Sequence, residues 1–519
     1  MTHPVRWSQV PSLLLAIAAA IGLATPACEG HPPAMPAALP THPGGDVGPA
    51  ARASLQLALG LLRQIPGDEA AALSPYSIAV ALAMTGEGAR GATRAEFAAV
   101  LGASPDASLG DLHAAFAGLA HRYHAASGAG DPAARARMAE LLRRFAAADA
   151  RSQRLQEDGD PAAASAALVE VRRLAAECNE QARGLDCWQL AVANSLWVER
   201  SYPLASAFEQ TLASCYGAGR ARAVDFRGDP DGVRGAINAW IAANTQDRIR
   251  ELLGEGVIQA STPMVLANAV AFTGAWQTPF DVAHTRDAEF TRADGSMVRV
   301  PMMHDFGRRD ARYGAINGDG AWFATPAIVP LSGDGPARYP GLDGATFVEL
   351  PYKGGDLAMV VLAPRSVDGL AALERSLTPE RLADWLGRAE ARDVDVAMPR
   401  LSVRKQLRLA TALQALGLRL AFRDPAHGDG ADFGGMTSST DPARRLFVDQ
   451  VLHEALVEVD EEGTRAVAAT VVAMEAGAAM PSERPFVPEF RADRPFLFLV
   501  RDTKSGAILF LGRVLEPKR

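Results

Sequence analysis

Apolar residues change their spacing several times along the chain, and each change predicts an element. Ala51 to Gln64 carries apolar residues at helical spacing and predicts an amphipathic first helix. Leu73 to Gly102 predicts two helices: Ser74 and Pro75 open the first, Gly86 to Gly91 breaks it, and Thr93 caps the second with Glu96 three residues on. Ala191 to Val198 alternates and predicts a strand of the main sheet, whereas Ile237 to Leu253 returns to the helical period. From Phe347 the pattern is that of strands, and Leu401 to Phe422 reads as a strand leading into a helix. Pro495 to Val500 and Ile508 to Val514 are almost continuously apolar, which predicts strands buried on both faces in a second sheet.

One stretch fits none of these patterns. Glu461 to Pro481 opens with an acidic pair and a glycine, runs through small and β-branched residues, and ends in Ala, Gly and Met before a proline. Loops are usually polar and rich in turn formers, yet Thr464 to Met474 has no Gly, Pro, Asn or Asp. At period two, Thr464, Ala466, Ala468, Thr470, Val472 and Met474 share one face, which starts small and ends large. Arg465 to Glu475 supplies the other face, which carries the charges. Gly463 gives backbone freedom for a hinge. On pattern alone the stretch reads as an edge strand.

Its context says otherwise. The stretch resembles the reactive-centre loop and hinge of the serpins, and VLHEALVEVD (Val451 to Asp460) before it resembles the family's strand entering the hinge. FRADRPFLFLV (Phe490 to Val500) and GAILFLGRV (Gly506 to Val514) resemble its C-terminal signature. LSPYSIAVALAMTGEGARGATRAEF (from Leu73), NSLWV (from Asn194), INAWIAANTQDRIRELL (from Ile237), LANAVAFTGAWQTPF (from Leu266) and VELPYKGGDLAMVVLAP (from Val348) follow the family's order. The resemblance covers nearly all of 51–519. It implies an α+β serpin fold: three β-sheets, eight to nine helices and an exposed reactive-centre loop, in one domain with insertions at about 121–186 and 308–345.

The remainder of the chain adds a leader. Arg6 precedes an apolar core at Leu13 to Leu23, and small residues follow, so 1–27 is expected to be a signal peptide. Cleavage after Ala27 leaves Cys28 first, as in a lipidated protein of the bacterial envelope; Thr25 and Pro26 depart from that pattern, and plain secretion is the alternative. Residues 28–50, rich in Pro, Gly and Ala, read as a flexible tether. The expected location is therefore extracellular or periplasmic, with membrane anchoring only through Cys28. Export makes a Cys178–Cys187 disulfide an expectation, since it closes a short loop; the other cysteines are Cys28 and Cys215. No cysteine pair has metal-ligand spacing, and neither metal nor cofactor is expected. A net charge of −8 excludes nucleic acid as a partner, and acids interleaved with the arginines of 121–186 argue against a polyanion site. A monomer is expected.

By resemblance, Ser74, Ser77, Asn268 and His453 form the polar cluster called the shutter, and Trp276 lies at the breach where the loop enters the sheet. Glu461, Glu462, Gly463, Thr464, Ala466, Ala468, Ala469 and Thr470 form the hinge. Family spacing puts the reactive bond after Gly477, before Ala478, with Ala476, Ala479 or Met480 as alternatives. The resemblance implies a suicide inhibitor of serine, or cysteine, endopeptidases that forms a covalent complex with its target. Small residues around that bond suit elastase-like or subtilisin-like enzymes better than trypsin-like ones. A non-inhibitory binding or carrier protein is the alternative, opposed by the small-residue hinge. An exported hydrolase is opposed by the absence of a G-x-S-x-G elbow or an S-x-x-K motif.

Overall fold

A helix buried around its whole circumference forms the centre of the molecule. In this computed structural model the described residues are 40–103, 109–126, 188–217, 221–308, 310–325, 328–330, 341–437, 446–464 and 483–517, with scattered positions between 137 and 177. They begin with α1 (Gly48–Leu62), β1 (Ala71–Leu73), α2 (Pro75–Glu87), α3 (Gly91–Val100), α4 (Leu109–Ala126), β2 (Trp188–Glu199), α5 (Ser206–Tyr216), β3 (Ala221–Val224), α6 (Pro230–Asn244) and β4 (Met264–Ala275). There follow β5 (Arg286–Thr291), β6 (Met297–Arg308), β7 (Arg312–Ile316), β8 (Trp322–Phe323), β9 (Ile328–Pro330), β10 (Ala345–Pro351), β11 (Leu357–Pro364), α7 (Leu370–Ser376) and α8 (Pro379–Arg388). The chain closes with β12 (Glu390–Ala391), β13 (Val394–Pro399), β14 (Leu401–Arg408), α9 (Ala410–Ala415), β15 (Gln450–Val459), β16 (Gly463–Thr464), β17 (Glu483–Pro485), β18 (Glu489–Arg491), β19 (Phe496–Asp502) and β20 (Ile508–Val514).

Helix α2 is nearly all apolar; Ser74 caps it, its hydroxyl accepting from Ser77 N, and Pro75 presets its first turn. Because it has no polar face, it lies wholly inside, between two sheets. One is eight-stranded, ordered β1-β20-β19-β11-β10-β7-β12 with β8 on β7; the other is six-stranded, ordered β14-β15-β4-β2-β3 with β16 on β4. A four-stranded sheet, β18-β13-β6-β5, and a two-stranded ribbon, β17-β9, complete the strands. The described residues thus hold nine helices and three principal sheets, the α+β architecture expected from sequence.

Several boundaries differ from the sequence reading. Helix α1 starts at Gly48, inside the stretch read as a tether, and Ala50 is buried in the core. Thr93 does not cap α3, which begins at Gly91; its hydroxyl accepts from Asp432 N, while the Glu96 carboxylate accepts from Arg419 N and Leu420 N. Both side chains thus serve a distant segment instead of their own helix. The helical period of 237–253 outlasts the helix: α6 ends at Asn244, and Gln246 and Asp247 take positive φ. The range 308–345 is not all insertion either, because β7 is a strand of the eight-stranded sheet with Tyr313, Ala315 and Ile316 buried.

Arg513 of β20 is 1% exposed, and its guanidinium meets the Glu374 carboxylate at 2.6 Å while donating to the carbonyls of Leu62, Pro66 and Glu69. It thereby closes the C-terminal end of α1. Arg513→Ala strands Glu374 and several carbonyls in the interior, so a loss of about 3–5 kcal/mol is expected, read as a lowered thermal midpoint. A midpoint unchanged from wild type contradicts this assignment.

Candidate functional site

The six-stranded sheet contains one unusual junction. Strands β15 and β4 are neighbours in parallel, from Gln450 opposite Val265 to Val457 opposite Phe272, whereas β4 pairs antiparallel with β2. Parallel ladders are slightly less stable per residue. On β4 one face of the seam is all alanine, Ala267, Ala269 and Ala271, whereas Leu266, Val270 and Phe272 pack into the core on the other.

Polar groups hold the middle of this seam. His453 and Asn268 face each other across it, and Asn194 of β2 lies opposite Asn268 on the other side. Ser74 N donates to His453 Nε2 at 3.0 Å, so the ring proton sits on Nδ1, which is directed at Asn268 Oδ1. Asn268 Nδ2 donates to Ser77 Oγ at 2.6 Å and to Asn194 Oδ1, and Ser77 Oγ donates to Asn194 Oδ1 at 2.6 Å. The cluster therefore joins α2 to three adjacent strands. Burial pushes the His453 imidazole down to about 3, because nothing in the cluster compensates a ring cation. Ser74, Ser77, Asn268 and His453 are thus brought together, with Asn194 added. An amide amid the apolar run of 190–198 was the available sequence signal for it.

At the upper end of the seam the chain leaves β15. Asp460 N donates to Gly463 O at 2.7 Å, and the Asp460 carboxylate accepts from the N–H groups of Glu462 and Gly463 at 3.0 and 3.2 Å. Burial nevertheless raises the Asp460 carboxyl above its ordinary range. Burial acts in the same direction on Glu461, but there it is outweighed. Arg400 Nε donates to both carboxylate oxygens at 2.8 Å and Thr285 Oγ1 to one at 2.5 Å, holding the group below its usual value.

Beyond this anchor, Gly463 and Thr464 pair antiparallel with Ala275 and Gly274 of β4. Gly463 has φ +147°, and a Cβ there would lie 2.1 Å from Gly274 O, so only glycine fits. Trp276 covers the same corner: its indole Nε1 donates to Asp460 O at 3.0 Å, its backbone N donates to Glu462 O at 2.9 Å, and its ring stacks on Tyr352 at 4.7 Å.

A further layer covers the seam. Ile249, Leu252 and Leu253, in the segment after α6, pack with Leu452 and Leu456 of β15 and with Ala267 and Ala269 of β4. Asn238 of α6 holds this segment, accepting from Leu252 N and Leu253 N and donating to Leu253 O at 2.9 Å. Arg222 of β3 lies over both Trp197 and Trp240, 5.4 Å from each ring.

Ala466, Ala468, Ala469 and Thr470, the bond at Gly477–Ala478 with its alternatives Ala476, Ala479 and Met480, and Cys28, Cys178 and Cys187 lie outside the described residues. Cys215 is a buried free cysteine. Among the described residues no cluster of His, Cys, Asp or Glu is arranged to hold a metal, and no helix is long and apolar enough to cross a membrane.

The six-stranded sheet thus has a parallel seam with a polar centre, and a two-residue antiparallel strand starts at its mouth. The comparisons place the chain more narrowly. Residues 52–517 match the family model described as Serpin (serine protease inhibitor), and the chain belongs to the serpin family. It is 33% identical over 337 residues to human (Homo sapiens) Serpin B3, covering 64% of this chain and 76% of that protein. It is 35% identical over 334 residues to the leukocyte elastase inhibitor of Sus scrofa, covering 63% and 78%. Arabidopsis AtSerpin1, solved in a native stressed conformation, superposes with a TM-score of 0.63 at 24% identity, covering 91% of this chain and 99% of that one. The family's named relatives include protease inhibitors.

His453 stays neutral in the fold but titrates near 6.5 once unfolded. The unfolded chain therefore binds the extra proton, and acid weakens the fold by about 1.4 kcal/mol per pH unit between pH 6.5 and about 3, with no effect above that window. In His453→Gln the thermal midpoint is expected to fall less steeply between pH 6 and 4 than in wild type; parallel slopes contradict the assignment. Gly463→Ala is expected to cost about 1–3 kcal/mol and to displace the β16 pairing. Protection of the Gly463 and Thr464 amides against hydrogen exchange is the readout, and unchanged protection refutes the clash.

Proposed function

We propose that this chain is a suicide inhibitor of serine proteases that traps its target by inserting the cleaved loop into the six-stranded sheet. The catalytic serine of the target attacks the carbonyl carbon of Gly477, the Gly477–Ala478 bond breaks, and the Ala478 amine leaves with a proton from the target's histidine. Gly477 is then held as an ester on the protease. The nucleophile, the base and the oxyanion hole all belong to the target, so the inhibitor supplies no catalytic group.

The observation that carries this reading is the β16–β4 pairing at the mouth of the seam. Continued in the same antiparallel register, it puts Ala466 opposite Phe272, Ala468 opposite Val270 and Thr470 opposite Asn268 of the polar cluster. Phe272, Val270 and Leu266 belong to the core shared with α2, so the small face of the loop is the one that meets the crowded side. A strand entering there is antiparallel to both β4 and β15, replacing one parallel junction by two antiparallel ones. Burying one face of about a dozen residues is worth on the order of 10 kcal/mol. Deacylation competes with this insertion, and the tethered ester wins if insertion distorts the protease first. The uncleaved fold is then held by a kinetic barrier.

The experiment is to mix the mature domain with pancreatic elastase, subtilisin and trypsin and to run denaturing gels with mass spectrometry of the released peptide. A band at the summed mass is expected with elastase or subtilisin, with Ala478 as the first residue of the peptide. Ala468→Arg places a charge on the inserting face, so cleavage is expected to persist while the inhibitor consumed per protease trapped rises at least about tenfold. Loop cleavage without any such band, and with no gain in thermal stability, refutes the inhibitor reading.

A further inference from the structure

One pair of strands stands apart from the three principal sheets. β9 and β17 pair antiparallel, with Glu483 opposite Pro330, Arg484 opposite Val329 and Pro485 opposite Ile328. β9 falls within 308–345, the stretch read from sequence as an insertion, and β17 lies on the arm by which the chain returns from the loop. That arm is secured just beyond: Phe486 is buried, and Pro488 O accepts from Asp395 N at 2.8 Å.

The two prolines decide how this ribbon is bonded. Directly opposed residues in an antiparallel pair alternate between those that exchange two N–H···O bonds and those that exchange none. Proline has no N–H, so Pro330 and Pro485 both fall in non-bonded pairs, and Val329 with Arg484 between them is the bonded one. A slip of one residue in either direction puts a proline into a bonded pair, so the register is fixed. Both backbone groups of Arg484 are thereby committed to Val329. A protease requires the same groups, because it binds its substrate as an added strand and draws the carbonyl before the cut into its oxyanion hole.

Arg465 and Arg484 are the basic residues between Gly463 and Phe490, and Arg484 is badly placed for trapping. Continued from the Gly463–Ala275 pair, the register ends with Met474 opposite Met264, the first residue of β4. Gly477 lies three residues past that end and Arg484 ten. A protease acylated at Arg484 therefore keeps roughly 30 Å of slack chain and is not drawn against the sheet.

We propose that β9 is a guard strand: by pairing with β17 it withholds the Arg484–Pro485 bond from trypsin-like proteases and confines attack to the segment before Glu483. The masking stands on the ribbon alone. Its consequence, that the chain is not consumed at a bond from which it cannot trap, rests on the inhibitor reading.

The test treats the full mature chain with trypsin and counts cleavage after Arg484 by mass spectrometry, separately from cleavage after Arg465. Pro485 by itself discourages the cut, so it is replaced first. Pro485→Ala leaves the ladder intact, since residue 485 donates nothing to it, and cleavage after Arg484 is expected to stay within twofold of wild type. Adding Val329→Pro removes a bonded N–H and is expected to raise that cleavage at least about tenfold over Pro485→Ala alone. Adding Ile328→Pro instead, in a non-bonded pair, is expected to leave it unchanged. Thermal midpoints should agree throughout. Rapid cleavage after Arg484 in Pro485→Ala alone assigns the protection to the proline and overturns the proposal, as does equal cleavage in the two double variants. Failure of wild type to trap elastase or subtilisin, with the cleavage pattern as expected, refutes the inhibitor reading and leaves the guard strand standing.

Discussion

The parallel junction of β15 and β4 is the constraint on which the other features depend. Two parallel strands joined directly, with alanines along one face of β4, form a ladder that is complete in hydrogen bonds but poor in side-chain interlock on that face. On its other side β4 pairs antiparallel with β2, so the parallel junction is the weaker of its two ladders.

The features adjoining the seam tie its strands to the rest of the molecule. The cluster of His453, Asn268, Asn194, Ser77 and Ser74 fixes the strands to α2 through hydrogen bonds that can be exchanged, where an apolar interlock would have to be torn apart. A neutral imidazole is required there, since its Nε2 must accept from Ser74 N. The strap after α6 lies across the same line and shares its apolar residues with both seam strands. At the mouth, Arg400 and Thr285 hold Glu461 while Gly463 starts the next strand. The Glu461 anchor and the first strand pair, at Gly463, are two residues apart.

The eight-stranded sheet has the opposite character. Its strands β19, β20 and β11 are buried along nearly their whole length, and Glu349, 3% exposed, is pinned by Arg312 and Arg501 at 2.6 and 2.8 Å. Arg513 ties it to α1. Charges buried and paired in this way resist any shift of register, because displacing one partner leaves the other unpaired in the interior. One sheet is thus a fixed frame, against which the other can rearrange.

By itself the sequence determined the order of the elements and the buried strands near the C-terminus. These are local patterns, and a strand or helix states its period wherever it lies. The conserved order of family segments likewise identified Ser74, Ser77, Asn268 and His453 as residues that belong together. Tertiary structure alone decided who pairs with whom. Asn194 entered the cluster because β2 lies opposite β4 in a register that a sequence separation of 74 does not reveal. Thr93 and Glu96 looked like a helix cap and instead hold Asp432, Arg419 and Leu420, since unpaired backbone N–H groups of a distant segment had greater need of an acceptor. The helical period of 237–253 stopped at Asn244 because Asn238 captures the returning chain, and its remaining apolar residues became the strap over the seam. Periodicity specifies which face of a segment must be covered; which element covers it is settled only when all of them meet.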